Sequence, residues 1–481
     1  MKFSAYKCLP LLLLMFSCIR DKSNDTVTPI DVITLKDTTA PASVLQFDTL
    51  DIKPIIEQSK GTDEADLTYK WSIHQNDAAN DYPVIVLDST RNLHQSVSVK
   101  PGIYRLIYTV TVKSSGVSYF KFFALNVINR FSEGWLVLED HAGKGDMSII
   151  LQTDTTFHHI FSDLNKDVDL FNPLQVAVSN SYGDKRIYIF TKNNGYELEY
   201  TEMIKVSDYT SWFWEVPAVF EPQLYTRLSN SSSFIINHGL FNARVEGGFP
   251  GDVKYMNSLP FPNDKGDDYN LAPYVAVGPQ PYTGGKSPYT AILYDTKSKG
   301  FVYLSGASLI ASLAPFGAPA ASSVYDMRNI GLDLVSMDEG YAQFINNAVF
   351  KDASGKYWLY EFDANRSDPP ILKKLITDDA PELAGAKFIA SAKQLQQIYF
   401  INNNNIYLYD IPSGKARVIA AIPAGETVSY LQCTTGNLFV ATWNGTEGKI
   451  YRHTISPLGD FSATRSFTGF GKVVSMVYKV P

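Results

Sequence analysis

The feature that most constrains this chain is a repeat that begins near residue 129 and runs to the C-terminus. Apolar runs start near Leu174, Gln223, Tyr274, Asp333, Lys387, Val428 and Val474, at intervals of 49, 51, 59, 54, 41 and 46 residues, a mean of 50. After most of them comes a second run with aromatic alternation: Ile187–Phe190, Ala291–Tyr294, Tyr357–Tyr360, Ile406–Tyr409 and Ile450–His453. A period of about 40–50 residues holding about four strands is what one β-propeller blade needs. Seven blades are expected over 129–481. The last run, Val473–Tyr478, has no partners after it, and the first, Trp135–Glu139 with Met147–Gln152, has no inner strand before it. Joining the two ends gives one composite blade and removes the open sheet edges. Small side chains in Val176-Ala177-Val178 and Val275-Ala276-Val277 suit strands crowded around an axis. Helical periodicity is nearly absent; Leu309–Leu313 has room for one turn.

Residues 33–128 read differently. Short alternating runs at Asp48–Ile55, Leu67–His74, Tyr82–Leu87, Gln95–Val99, Tyr104–Lys113 and Ser118–Val127 are separated by turn-forming groups such as Lys100-Pro101-Gly102. Six or seven short strands around one tryptophan predict an immunoglobulin-like sandwich with Trp71 in its core. The fold class is therefore all-β in two domains, which also suits 481 residues.

The N-terminus is an export signal. Lys2 and Lys7 precede an apolar run from Leu9 to Phe16, and Ser17-Cys18 follows. A cysteine directly after a small residue is where a lipoprotein signal peptidase cuts and a diacylglyceryl group is attached, so residues 1–17 are the signal and Cys18 the lipidation site. Residues 18–32 are polar and aperiodic, a tether between lipid and fold. Net charge is −7, and removal of residues 1–17 takes away two lysines and no acid, leaving −9. That surface repels nucleic acid and anionic lipid heads, so membrane contact is expected through the anchor only. With Cys8 removed and Cys18 lipidated, Cys433 has no disulfide partner and reads as a small buried hydrophobe.

No catalytic constellation is present. The seven histidines form no H-E-x-x-H, and C-x-x-C and G-x-S-x-G are missing. His158-His159 is the one adjacent pair, and on a strand the two would point to opposite faces and share no metal. Asp140, Asp184, Glu339 and Glu447 lie near predicted loops, as acids on most soluble surfaces do. Asp363-Ala364-Asn365 with Asp368 lacks the glycine and distal glutamate of a calcium loop. No metal, cofactor or catalytic residue is expected. Residues 248–290, long and rich in Gly, Pro and Tyr, read as a binding surface, with Tyr255, Tyr269, Tyr282 and Tyr289 as candidate contacts. The alanine-rich stretch Ser305–Ser323 adds Phe316. Trp212-Phe213-Trp214, read as a strand, puts both tryptophans on one face, in the core.

Tyr69-Lys70-Trp71, Gly102-Ile103-Tyr104 and Gly134-Trp135-Leu136-Val137-Leu138-Glu139, in a chain ordered lipidated cysteine, sandwich, propeller, resemble the PKD-like family lipoproteins of Bacteroidota. The resemblance implies a non-catalytic, surface-exposed outer-membrane accessory protein that binds an oligopeptide or glycan nutrient, docks on a SusC/SusD-type importer, or does both. Ile19-Arg20 stand before Asp21, where that phylum's surface-export signal carries acids, and this leaves a periplasmic orientation open. A propeller polysaccharide lyase or hydrolase and a surface adhesin are the other two readings.

Overall fold

The computed structural model describes residues 30–36, 39–61, 64–75, 83–129, 131–181, 184–229, 232–245, 254–258, 268–279, 289–305 and 313–480. The expected signal, most of the tether and Leu309–Ala311 with Ser312 fall outside them. The chain divides into two compact units between residues 130 and 131.

The first unit is built on a five-stranded sheet in the order Ser43–Leu45, Ser118–Ile128, Gly102–Val112, Leu67–Gln75, Ile85–Asp88. Two small pairs, Ile33–Leu35 with Ile56–Gln58 and Thr49–Ile52 with Leu93–Ser96, complete it. Strand alternation selects the core: Tyr104, Leu106, Tyr108, Val110 and Val112 are buried along Gly102–Val112, while the residues between them are more open. They pack with Trp71, Ile73, Leu125 and Val127 against Leu50, Ile52 and Leu93. Trp71 is fully buried and stacks on Tyr108 at 4.2 Å. The three-residue strands Ile33–Leu35, Ser43–Leu45 and Ile56–Gln58 are additions to the sequence reading, because three residues are too few to display a period of two.

The second unit is a closed seven-bladed β-propeller among the described residues. Its inner strands are Lys472–Lys479, Pro173–Ser181, Pro222–Ser229, Ala276–Val277, Asp333–Glu339, Phe388–Ser391 and Thr427–Thr434, blades 1 to 7 in that order. Each coincides with one of the seven repeat starts. Blade 1 has the order Lys472–Lys479, Gly134–His141, Lys144–Leu151, Thr156–Phe157, so the C-terminal strand completes a sheet begun more than 300 residues earlier. Seven apolar clusters fill the seven interfaces in turn. Leu138 and Ile149 meet Val176 and Ile189 between blades 1 and 2, and Val137 and Ile150 meet Phe439 and Ile450 between blades 7 and 1. A ring of cores, each shared by two neighbours, is what closes the circle.

Two expectations about strands change. The aromatic runs are second strands in blades 2 and 4, but third strands in blades 5, 6 and 7, at Tyr357–Asp363, Asn405–Asp410 and Gly448–Ile455. The second strands there, Ile345–Lys351, Gln397–Asn402 and Asn437–Trp443, are buried on both faces by the neighbouring blades. A strand covered on both sides has no polar face and loses its alternation. The short helix Ile160–Leu164, entered through His159 at φ 58°, was also not expected.

Buried charges pin the closing strand at both ends. At its start, the fully buried Glu139 carboxylate accepts Ser148 Oγ at 2.5 Å and the Gly471 amide. A Cβ on Gly471 would lie 2.8 Å from the His141 ring, so any larger residue there requires the imidazole to shift. At its end, the buried Lys479 ammonium donates to the carbonyls of Phe131 and Ser132 at 2.7 and 3.0 Å and lies 4.4 Å over the Tyr200 ring. Burial pushes its pKa down to about 8, against the nearby Glu199, which raises it. Between about pH 8 and 10.5 the unfolded lysine holds a proton that the folded one has released, so stability contributed by this group rises with pH in that window. The shift corresponds to about 3 kcal/mol at most. Tyr200, whose pKa burial raises, works in the opposite sense at higher pH. Chemical denaturation of the wild type and Lys479→Met at pH 8, 9 and 10 isolates the lysine. The wild type should gain stability relative to the variant as pH rises, and parallel curves would refute the assignment.

Candidate functional site

The inner strands of blades 5, 6 and 7, with Tyr274 ahead of blade 4, enclose a cavity of about 380 Å³ at the ring axis. Small side chains in the inner strands, such as Ser336 and Ala390, leave the space between the walls unfilled. Lys393, just past the blade 6 inner strand, reaches across to Asp338 on blade 5 at 2.7 Å and donates to the Glu339 carbonyl at 2.6 Å. The other Asp338 oxygen accepts the Ser391 amide at 3.0 Å, and Ser391 Oγ accepts Asn347 Nδ2 at 3.2 Å. Tyr274 Oη donates to the Val335 carbonyl at 3.1 Å, and burial, then Asp338, raises its pKa. Cys433 lines the same wall; burial pushes its thiol up to about 12, so it stays protonated and non-nucleophilic at neutral pH. The cavity therefore offers hydrogen-bonding groups, one internally paired ion pair and the exposed Lys387, and polar groups converging on a concave space are what a binding pocket needs.

The candidate aromatic contacts lie elsewhere, and four of them require correction. Tyr255 is fully buried between blades 2 and 3, with the Arg244 guanidinium 5.0 Å from its ring centre. Tyr269 lies in the core between blades 3 and 4, where its oxygen accepts the Phe241 amide at 3.1 Å. Tyr289 and Phe316 pack on each other at 4.9 Å between blades 4 and 5, and Tyr289 donates to the Ser367 carbonyl. Tyrosine supplies apolar area and a satisfiable hydroxyl, and here those properties serve inter-blade packing instead of a ligand. Tyr282 and Cys18 fall outside the described residues.

The remaining sequence candidates are also placed. His158 and His159 follow the strand Thr156–Phe157 instead of lying in it, so alternation does not govern them. His158 Nδ1 sits 3.2 Å from Ser148 Oγ and His159 Nδ1 sits 3.1 Å from Asp146 Oδ2, beside the closing seam. Burial lowers the His158 pKa, and Glu139 partly restores it. No group of three His, Cys, Asp or Glu side chains converges on a metal-holding geometry among the described residues. Asp140 accepts the amide of Gly143 and Asp363 that of Asn365, both local turn roles, while Glu447 accepts the amide of Gly469 across the two outer strands of blade 7. Asp368 accepts Ser323 Oγ at 3.0 Å. Trp212 and Trp214 do not share a face: a 3-10 turn at Tyr209–Ser211, capped by Asp208, buries Trp212 and leaves Trp214 64% exposed with Lys254 over its ring.

The pairing of Asp338 with Lys393 was not legible beforehand. Fifty-five residues separate them, and no local pattern marks either.

No curated protein matches the chain. Among solved structures, it is similar to a quinonprotein alcohol dehydrogenase-like protein from Bacteroides thetaiotaomicron, at 13% identity and TM-score 0.48, covering 91% of this chain and 96% of that one. It is also similar to Hsv2 of Kluyvelomyces marxianus, at 6% identity and TM-score 0.38, covering 69% of this chain and 92% of that one. The Nup133 β-propeller domain of Vanderwaltozyma polyspora aligns at 9% identity and TM-score 0.33, covering 63% and 91%. The ring is defined by its own strand pairing and interface cores. Residues 18–168 match the PKD-like family, past the end of the first unit and into blade 1, and the chain thus carries a PKD-like family domain.

Proposed function

We propose that this chain is a non-catalytic, lipid-anchored outer-membrane accessory protein, exposed at the cell surface. It binds a nutrient, an oligopeptide or a glycan, and docks on a SusC/SusD-type importer. The observation that carries the reading is the axial cavity, a roomy space with hydrogen-bonding walls on a rigid ring. The export signal ending in Cys18 and the PKD-like family match at residues 18–168 support the location and the setting.

Cys18→Ser is expected to release the protein from the membrane fraction, because no helix among the described residues is long and apolar enough to cross a membrane. Retention and lipid labelling of that variant would remove the anchor from the proposal. Pull-down of the intact lipoprotein from outer membranes should bring a SusC/SusD-type pair with it. Turnover of a peptide or polysaccharide by the purified protein would overturn the non-catalytic reading.

A further inference from the structure

The axial cavity has a charge opposite in sign to that of the chain around it. The whole sequence carries a formal charge of −7. The cavity walls hold two ammonium groups, Lys387 and Lys393, and one carboxylate, Asp338, a local balance of +1. That carboxylate is already committed. One of its oxygens accepts Lys393 at 2.7 Å, and the other accepts the Ser391 amide at 3.0 Å. Lys393 donates two of its three N–H groups, to Asp338 and to the Glu339 carbonyl, and keeps one. Lys387 is exposed, and its side chain makes no ion pair or hydrogen bond among the described residues.

The neutral groups of the same walls do not change that balance. Tyr274 Oη is engaged with the Val335 carbonyl, and Cys433 stays protonated. Ser336 adds a hydroxyl and Gln432 a primary amide, each able to donate to a ligand. A cationic ligand would therefore meet Lys387 and find no free carboxylate to pair with. An anionic group would gain a charge-assisted hydrogen bond from Lys387, with the spare Lys393 N–H as a second charged donor in the same space. Those bonds offset the water that an ionised group gives up on entering. The remaining wall is apolar, with Val335, Met337, Phe388, Ile389 and Leu431. At about 380 Å³ the space lies at the small end of ligand-binding pockets.

We propose that the axial cavity binds a small organic carboxylate, with the acid group on Lys387 and an apolar body against the wall that includes Phe388 and Leu431. The inference rests on reading the cavity as a capture site, and it states which chemical group that site selects. Isothermal titration of the mature full-length protein at neutral pH tests it, with benzoate and hexanoate as probes. The neutral benzamide and hexanamide, inorganic phosphate, a hexapeptide and a hexasaccharide serve as comparisons. Lys387→Met and Lys387→Arg are titrated alongside, and melting temperature verifies that a change at this exposed position leaves the fold intact.

Both acids should bind the wild type, and both amides should not. Acid affinity should fall about tenfold or more in Lys387→Met, the scale of one hydrogen bond to a charged group, and return close to the wild-type value in Lys387→Arg. Amides that bind as tightly as the acids would overturn the role of charge. Acid affinity unchanged in Lys387→Met would overturn the site. Phosphate binding as tightly as benzoate would overturn the apolar body. If no acid binds while the hexapeptide or hexasaccharide does, the inference fails and capture stands. If none of the probes binds, the capture reading fails with it.

Discussion

Deleting residues 472–481 is expected to abolish cooperative unfolding of the propeller and to drive aggregation. The deleted strand supplies the inner edge of blade 1, paired with Gly134–His141 over nearly its whole length. Val473 and Met476 belong to the core between blades 7 and 1, and Val474 and Val477 pack against the core between blades 1 and 2. Each large apolar side chain returned to water costs about 1.5–3 kcal/mol. Four such losses approach the whole stability of a domain, about 5–15 kcal/mol. The truncation also leaves Gly471, whose amide Glu139 accepts, as an untethered chain end, and it removes the Lys479 clamp on the Phe131 and Ser132 carbonyls. A row of unpaired backbone groups on Gly134–His141 then becomes a template for another chain. Size-exclusion chromatography and calorimetry decide the matter. A soluble monomer that melts at the wild-type temperature would mean that the ring does not depend on its closing strand.

Replacing Trp71 with alanine should unfold or severely weaken the first unit while leaving the propeller's transition in place. The indole is fully buried and stacks on Tyr108 at 4.2 Å and on Phe123 at 6.3 Å. Truncating such a residue costs about 3–5 kcal/mol, which in a domain of this size lowers the melting temperature by more than about 12 °C. Trp71 Nε1 has no hydrogen-bond partner, so Trp71→Phe sheds an unsatisfied donor along with some area and should cost clearly less than alanine. The two compact units make a two-transition calorimetric trace the informative readout. Equal shifts in both transitions would show that the units do not melt separately, and no shift would show that Trp71 does not carry the core.

How much of this was legible depended on whether the cause lay close along the chain. The seven inner strands were readable because each opens an apolar run after 41 to 59 residues of chain, a spacing that blade size keeps near 50. Trp71 and the alternation of Gly102–Val112 were readable because a strand with one buried face writes its burial into every second residue. The second strands of blades 5, 6 and 7 were missed because both their faces are covered, so the alternation that marks a strand is gone. The tyrosines of residues 248–290 were misplaced for a related reason. A tyrosine in a gap between predicted strands looks the same whether it faces solvent or a neighbouring blade, and the described ones turn inward.

The local sequence by itself determined the strand period, the repeat length and the need for the first and last runs of the repeat region to share a blade. Tertiary structure alone decided what those elements enclose. Asp338 and Lys393 become partners only when blades 5 and 6 stand side by side, and Glu139 and Gly471 meet only when the last strand returns to the first. Contacts across 55 and 332 residues leave no local pattern, because they are set by the geometry of the closed ring and not by the pitch of any one strand.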